Sequence, residues 1–165
     1  MTIRALLAAA LAVAAIAGAA EAAGWRTYVN ERFGATADVP ADWQPGEPPA
    51  NGDGLEFRSP DGKATIAVYG SFNSLGTKEE MNIYASPNEG ETITYQKRGK
   101  TWVVVSGIAG DRIFYRRTML SCQGQIWNGV AIEYPAAEKK EYDALVAHVA
   151  GSLRGGTGWQ SEGCR

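Results

Sequence analysis

The sequence predicts an α+β fold, in which a curved antiparallel β-sheet of about six to eight strands is packed by one C-terminal amphipathic helix. Short aromatic and β-branched runs alternate with turns that use many of the chain's 20 glycines and seven prolines. The one long stretch of helical periodicity follows Pro135. A hydrophobic content of 45%, with five tryptophans, is enough to form a core, and residues 24–165 fit a single domain.

The first part of the chain is predicted to form two β-hairpins separated by an irregular loop. The residues of Trp25–Val29 and of 35–39 favour two short strands, and a proline ends the second. Residues 45–54 are rich in proline and glycine, so we expect a loop without regular structure. Residues 55–59 alternate apolar and polar side chains, and residues 64–69 return as their partner after a Pro-Asp-Gly turn.

A short helix and a strand meander are predicted next. Within the segment 70–91, residues 77–81 favour a helix with Thr77 as its N-terminal cap and Glu80 three residues later. Glycine-containing turns then separate successive β-rich runs, which is typical of antiparallel neighbours. These predicted strands are 92–97, 101–108, 112–120 and 125–134.

The C-terminal helix is predicted over residues 136–153, because a proline precedes it and two glycines follow it. Its apolar residues recur at helical spacing and fall on one face, which is therefore expected to pack on the sheet. These residues are Tyr142, Leu145, Val146, Val149 and Leu153.

The chain has two cysteines, Cys122 and Cys164. In an oxidising compartment an even pair favours a disulfide, which would close a loop worth roughly 4 kcal/mol in the chain-entropy model. Two free thiols, or a disulfide between chains, are the alternatives. Residues 158–165 have no periodicity, so we expect this tail to be ordered only if Cys164 is tethered.

Residues 1–23 have the layout of a secretory signal peptide. Arg4 precedes a small-apolar run at 5–20, and Ala20-Glu21-Ala22 offers small residues at a cleavage site. A membrane anchor is the alternative, but the run is shorter than the roughly 20 apolar residues that a bilayer requires. We therefore expect a periplasmic or secreted protein, cleaved near Ala22 or Ala23, with no stable membrane insertion after cleavage.

The opening hairpin resembles that of PsbP-like domains. The resemblance lies in Tyr-x-Asn-x-Arg-Phe-Gly at 28–34 and Asp-Val-Pro-x-x-Trp at 38–43, and the order of the later elements is similar too. It implies a PsbP-like α/β/α sandwich that serves as an accessory or binding module and not as a catalyst. It carries over no site residues, and the two cysteines are not part of the pattern.

The sequence contains few groups for acid–base, nucleophilic or metal chemistry. Its one histidine, His148, is predicted to be a solvated residue of the last helix, with Ala144 and Ser152 instead of acids one turn away. There is no serine-nucleophile elbow and no phosphate-binding loop. One histidine and two distant cysteines do not make a zinc site. Residues 51–56 invite a calcium interpretation, but a glycine-rich turn explains them better. We expect no cofactor and no metal.

The charge pattern argues against nucleic acid as a partner. The net charge is −2, without a basic excess. Arg112, Arg116 and Arg117 lie on one predicted strand, where adjacent residues face opposite sides, so they are expected to be solvated or locally paired.

Together these features predict an exported, noncatalytic binding or accessory module whose partner is another extracytoplasmic protein or an envelope component. The alternatives are a small periplasmic hydrolase that uses carboxylates and a structural, envelope-associated protein with a large exposed apolar patch. The preferred contact region is the segment 70–91, where apolar and polar groups mix. Phe72 and Met81 could instead simply anchor this segment to the core. The candidate contact residues are Phe72, Asn73, Met81 and Tyr84.

Overall fold

The computed structural model describes residues 24–160 and Cys164, so the predicted signal peptide lies outside the described residues. Within them the chain forms nine strands and two α-helices. The order is β1 (Trp25–Val29), β2 (Thr36–Pro40), β3 (Gln44–Pro45), β4 (Gly54–Arg58), β5 (Thr65–Phe72), α1 (Thr77–Tyr84), β6 (Glu91–Arg98), β7 (Trp102–Ala109), β8 (Arg112–Ser121), β9 (Ile126–Pro135) and α2 (Lys139–Ser152).

The strands form two antiparallel sheets. β1 and β2 make a separate hairpin, and the other strands make a seven-stranded sheet in the order β3-β4-β5-β9-β8-β7-β6. The predicted α+β class and the antiparallel sheet are confirmed. Among the described helices none is both long enough and apolar enough to cross a membrane.

The large sheet is covered on both faces, as the α/β/α sandwich prediction requires. On the face that we call the α2 face, α2 and the β1–β2 hairpin bury Ile66, Val130 and Ile132 of the central strands. On the opposite face, the α1 face, α1 packs Met81 against Trp127 and its neighbours. Burial of apolar side chains on both faces stabilises the sandwich at roughly 25 cal/mol per Å² of apolar area removed from water.

Two local predictions are corrected. Pro45 lies in the short strand β3, paired with Phe57, and not in an irregular loop; a proline is tolerated there because β3 is an edge strand. Thr77 begins α1 but does not cap it: the cap residue is Gly76, and no side chain caps the helix. The Glu80 carboxylate instead accepts hydrogen bonds from the backbone N–H groups of Ser74 and Leu75, at 2.7 and 3.0 Å.

The C-terminal tail is bound to the first hairpin. Thr36 and Arg154 exchange backbone hydrogen bonds, and the N–H of Trp159 donates to the carbonyl oxygen of Glu31 at 2.9 Å. The structure joins Cys122 and Cys164 in a disulfide with their Cα atoms 4.6 Å apart. The tail is thus held both by backbone pairing and by the covalent bond.

Candidate functional site

The α2 face is only partly covered. α2 packs over β2, β8 and β9, while β6 and β7 extend beyond it. Tyr95 and Ile108 on these outer strands remain 47% and 45% exposed. Between α2 and β6 lies a cavity of about 500 Å³, which we call the sheet groove. Its floor includes Ser106, Ile113 and Tyr115, and its walls include Tyr95, Ile108, Tyr134, Lys139, Asp143 and Val146.

Strand register explains why these side chains meet. Tyr95 lies opposite Ser106, and Ser106 lies opposite Tyr115, so the three share one row on the α2 face. Tyr95 joins this row only because the register of β6 shifts between Ile93 and Tyr95. Without the shift, these two residues would face the same side of the sheet, as residues two apart on a regular strand do. The shift sends Ile93 into the α1-side core and Tyr95 to the groove.

The groove is apolar, with a few polar groups in defined places. The Ser106 hydroxyl donates to the carbonyl oxygen of Phe114 at 2.8 Å. The Tyr115 and Tyr134 hydroxyls have no hydrogen-bond partner among the described residues. Burial raises the pKa of both phenols above their usual value, which already lies well above neutral pH, and both hydroxyls are therefore protonated donors. At one end, Lys139 and Asp143 form an ion pair of 2.7 Å.

A second hollow of about 220 Å³ adjoins the groove at Tyr115 and is lined also by Trp102, Val104 and Arg117. Arg117 is half-buried, and its guanidinium donates a hydrogen bond to the carbonyl oxygen of Ala150 in α2. No carboxylate of the described residues forms an ion pair with Arg117. The sheet groove and this second hollow, which meet at Tyr115, therefore lead to a cation that forms no ion pair with a carboxylate of the described residues.

The sheet edges do not favour strand addition by a partner. β6 is one edge and combines the register shift with the exposed cations Lys97 and Arg98. The other edge, β3, is two residues long and contains Pro45. Bulges, charges, proline and short length all hinder edge pairing.

Three of the four predicted contact residues, Asn73, Met81 and Tyr84, lie near α1 on the other side of the sheet, whereas Phe72 packs its ring against Phe33 of the first hairpin at 5.0 Å between centroids. Asn73 donates to the carbonyl oxygen of Gly124 at 2.7 Å and accepts from the Trp127 indole at 3.3 Å. Met81 is buried, and the Tyr84 hydroxyl bonds that of Ser71 at 2.7 Å. These three side chains hold α1 on the core. Phe72 remains 42% exposed, and its role as a contact residue stays a prediction.

His148 is an exposed residue of α2, as the sequence predicts, but it also makes contacts with the first hairpin that the sequence did not predict. Its imidazole stacks on Trp25 at 3.8 Å between ring centroids, and its Nε2 lies 3.1 Å from Oδ2 of Asp38. The other oxygen of Asp38 accepts a hydrogen bond from Thr27 at 2.8 Å. Because the hydroxyl of Thr27 is bonded to the carboxylate and not to the imidazole, His148 is not placed to take the proton of Thr27.

A cleft of about 540 Å³ lies beside His148 and is lined also by Trp43, Asp42 and Glu141. In the described part of the chain no three histidine, cysteine or acidic residues are grouped so that they could hold a metal ion. The candidate calcium segment at 51–56 is a turn that leads into β4 at Gly54, and in this turn Asn51 donates to the carboxylate of Asp53 at 2.8 Å.

Two of the three strand arginines are locally paired, as expected, whereas Arg117 forms no ion pair with a carboxylate of the described residues. Arg112 lies 3.5 Å from Glu133. Arg116 lies 2.5 Å from Glu91, and this pair is largely buried on the α1 face. Neighbouring arginines therefore face opposite sides of β8 and do not form one basic patch.

Comparison with known proteins identifies the fold. No family model matches the sequence, and no curated protein matches it. The structure is similar to the solution structure of cyanobacterial PsbP (CyanoP) from Synechocystis sp. PCC 6803. The TM-score is 0.61 at 11% sequence identity, and the match covers 84% of this chain and 96% of the other. The chain therefore has a PsbP-like fold, which confirms the architecture implied by the opening motif.

Proposed function

We propose that this chain is an extracytoplasmic binding or accessory module that acts without catalysis and that the sheet groove is its recognition surface. The observation that carries the proposal is the uncovered strip of the α2 face, where Tyr95, Ile108 and Trp102 stay exposed beside a cavity of about 500 Å³. Contiguous apolar surface of this kind is typical of binding sites in soluble domains.

Three features support an extracytoplasmic location. The Cys122–Cys164 disulfide is a bond that persists in oxidising compartments and is rare in the cytoplasm. Residues 1–23 have the sequence pattern of a signal peptide. The PsbP-like fold is compatible with the same location, which suits a partner that is another extracytoplasmic protein or an envelope component.

The noncatalytic part of the proposal is supported by the geometry around His148. A hydrolase needs a base that is oriented toward the proton it removes. In a nucleophile–histidine–acid relay, the imidazole lies between the hydroxyl and the carboxylate. In the described residues the carboxylate of Asp38 lies instead between the Thr27 hydroxyl and the imidazole. The second candidate function, a small hydrolase, would use Asp42 and Glu141 in the neighbouring cleft.

Site-specific loss of binding tests the proposal. Immobilised protein is incubated with periplasmic and envelope extracts of the cells that express it, and the retained species are compared between two double variants. Tyr95→Ser with Ile108→Ser alters the groove. Leu75→Ser with Ile83→Ser is the control, because these residues are at least as exposed but lie outside the groove. Such exposed substitutions change stability by only about 0.5 kcal/mol each.

We expect the wild-type protein and the control to retain the same species and the groove variant to lose it. Equal retention by the two double variants would place the binding surface elsewhere and overturn the proposal. The hydrolase alternative predicts turnover of an ester, peptide or glycan substrate that Glu141→Gln or Asp42→Asn abolishes.

A further inference from the structure

We propose that the sheet groove binds a long-chain monocarboxylate, with its carboxylate at Arg117 and its acyl chain along β8. This inference rests on the proposed function and adds the chemical class of the ligand. It depends on three observations: an arginine without an acidic partner at one end of the groove, an apolar floor in line with it, and a neutralised charge at the other end.

Arg117 lies at the end of the groove where the carboxylate would bind. Arg117 uses one N–H to bond the Ala150 carbonyl oxygen, which fixes the guanidinium, and it forms no ion pair with a described carboxylate. Lys97 on β6 lies opposite Val104, and Val104 lies opposite Arg117, so two cations flank Val104 on the α2 face. The planar fork of an arginine matches the two oxygens of a carboxylate.

A row of side chains on β8 would contact the acyl chain. Ile113, Tyr115 and Arg117 are alternate residues of β8 and therefore lie in line on one face. The distance from Arg117 to Ile113 is about 14 Å at about 3.4 Å per residue. Ile108 on β7 and Val146 on α2 flank this line. The two hollows, which adjoin at Tyr115, thus form an open, mainly apolar path along β8 that leads away from the cation.

The third observation concerns the far end of the groove. Lys139 is the cation there, and Asp143 pairs with it at 2.7 Å. This end thus offers no free charge, whereas the Arg117 end has an excess of positive charge. A ligand with one anionic end and an otherwise apolar body complements both ends. A dicarboxylate or a zwitterion would place its second charge either on the apolar floor or beside an ion pair that is already formed, so this charge would lose hydration without gaining a free counter-charge.

Calorimetric titration of the whole disulfide-bonded protein with dodecanoate, below its micelle concentration, tests the proposal. We expect saturable binding of one molecule per chain. Arg117→Gln should weaken it at least about tenfold, since a hydrogen-bonded charge pair is lost. Lys97→Gln, an exposed change that leaves the core untouched, should weaken it about two- to fivefold. The matched control is Arg98→Gln, because Arg98 is the next residue but faces the other side of the sheet.

Three comparisons make this test specific for the charged end of the ligand. Dodecan-1-ol has the same chain without the charge, so its affinity should not change in Arg117→Gln or Lys97→Gln. Thermal unfolding of each variant identifies any loss that comes from misfolding, and Arg117→Lys should restore part of the affinity. Absence of saturable dodecanoate binding, or equal binding by wild type, Arg117→Gln and Lys97→Gln, would overturn the ligand class. If the groove double variant still loses its captured species, the binding function itself stands.

Discussion

The guanidinium of Arg117 on β8 donates a hydrogen bond to the carbonyl oxygen of Ala150 in the last turn of α2. The last carbonyl groups of a helix have no donor within the helix, so this bond satisfies one of them. It also fixes the cation at the end of the sheet groove. Helix position and groove chemistry are therefore linked through one side chain.

The signal peptide prediction is tested by the mass of the exported protein. Arg4, the apolar run and the Ala20-Glu21-Ala22 site predict cleavage near Ala22 or Ala23. Protein recovered from the periplasm should have the intact mass of a chain that begins at Ala23 or Gly24. A full-length mass in the membrane fraction would show instead that the segment is retained as an anchor.

Loss of the disulfide should loosen the tail and lower the free energy of unfolding by up to about 4 kcal/mol. The test is urea unfolding of Cys164→Ser, compared with the oxidised protein. Backbone pairing of Thr36 with Arg154 should preserve the first part of the tail, so the fold itself should persist. Thiol labelling of the denatured, non-reduced protein should find no free cysteine; two labelled cysteines per chain would contradict the pairing.

The Arg116–Glu91 pair should stabilise the protein in a pH-dependent way. Burial opposes ionisation of Glu91, but hydrogen bonds from Arg116 and from the Asn88 backbone more than offset it, so the pKa of Glu91 lies below its usual range. Glu91 therefore binds a proton more readily in the unfolded chain than in the folded protein. The stabilisation from this pair is present above the usual carboxylate pKa and is lost as the pH falls through the lowered pKa of the folded protein.

Arg116→Met should therefore cost about 3 kcal/mol at neutral pH, because the largely buried carboxylate of Glu91 loses its counter-charge and keeps only the hydrogen bonds from Asn88. The cost should shrink at pH 3, where Glu91 can take up a proton. Urea unfolding at both pH values measures this difference. Arg58→Met is the control, since the exposed Arg58–Glu56 pair contributes little. A pH-independent cost would show that lost packing, not the charge, dominates.

Replacing His148 should affect the first hairpin and not ligand binding. His148→Ala removes the stacking on Trp25 and the bond to Asp38, which together are worth less than about 1.5 kcal/mol at this partly exposed site. Trp25 fluorescence and thermal unfolding report the change, while the retained species should be the same as for wild type. Loss of a measurable turnover in this variant would refute the noncatalytic proposal.

Local sequence patterns account for most of the strands but not for the site. The hairpin of β4 and β5 follows from alternating side chains and a Pro-Asp-Gly turn, both of which are local signals. In contrast, a regular strand would place Ile93 and Tyr95 on the same face, and the register shift that separates them leaves no clear signal in the sequence. The groove wall formed by Tyr95 could therefore not be predicted.

Contacts between distant segments were also beyond prediction from one sequence. Asp38 and His148 are 110 residues apart, and their contact depends on how α2 lies across β2. The same placement decides that α2 leaves β6 and β7 uncovered. Helical periodicity identifies the apolar face of α2, including Val146 and Val149, but not the strands that this face covers.

Site-specific photocrosslinking in living cells tests the central proposal most directly. A benzoylphenylalanine residue is placed at Ile108 in the sheet groove or, as the control, at Ile83 on α1, which is 57% exposed. After irradiation the purified protein is analysed by gel electrophoresis and intact mass, which detect adducts of proteins and of small molecules alike. We expect a defined adduct at position 108 and none at position 83. An adduct at position 83 alone, or at neither position, would contradict the assignment of the sheet groove as the binding surface.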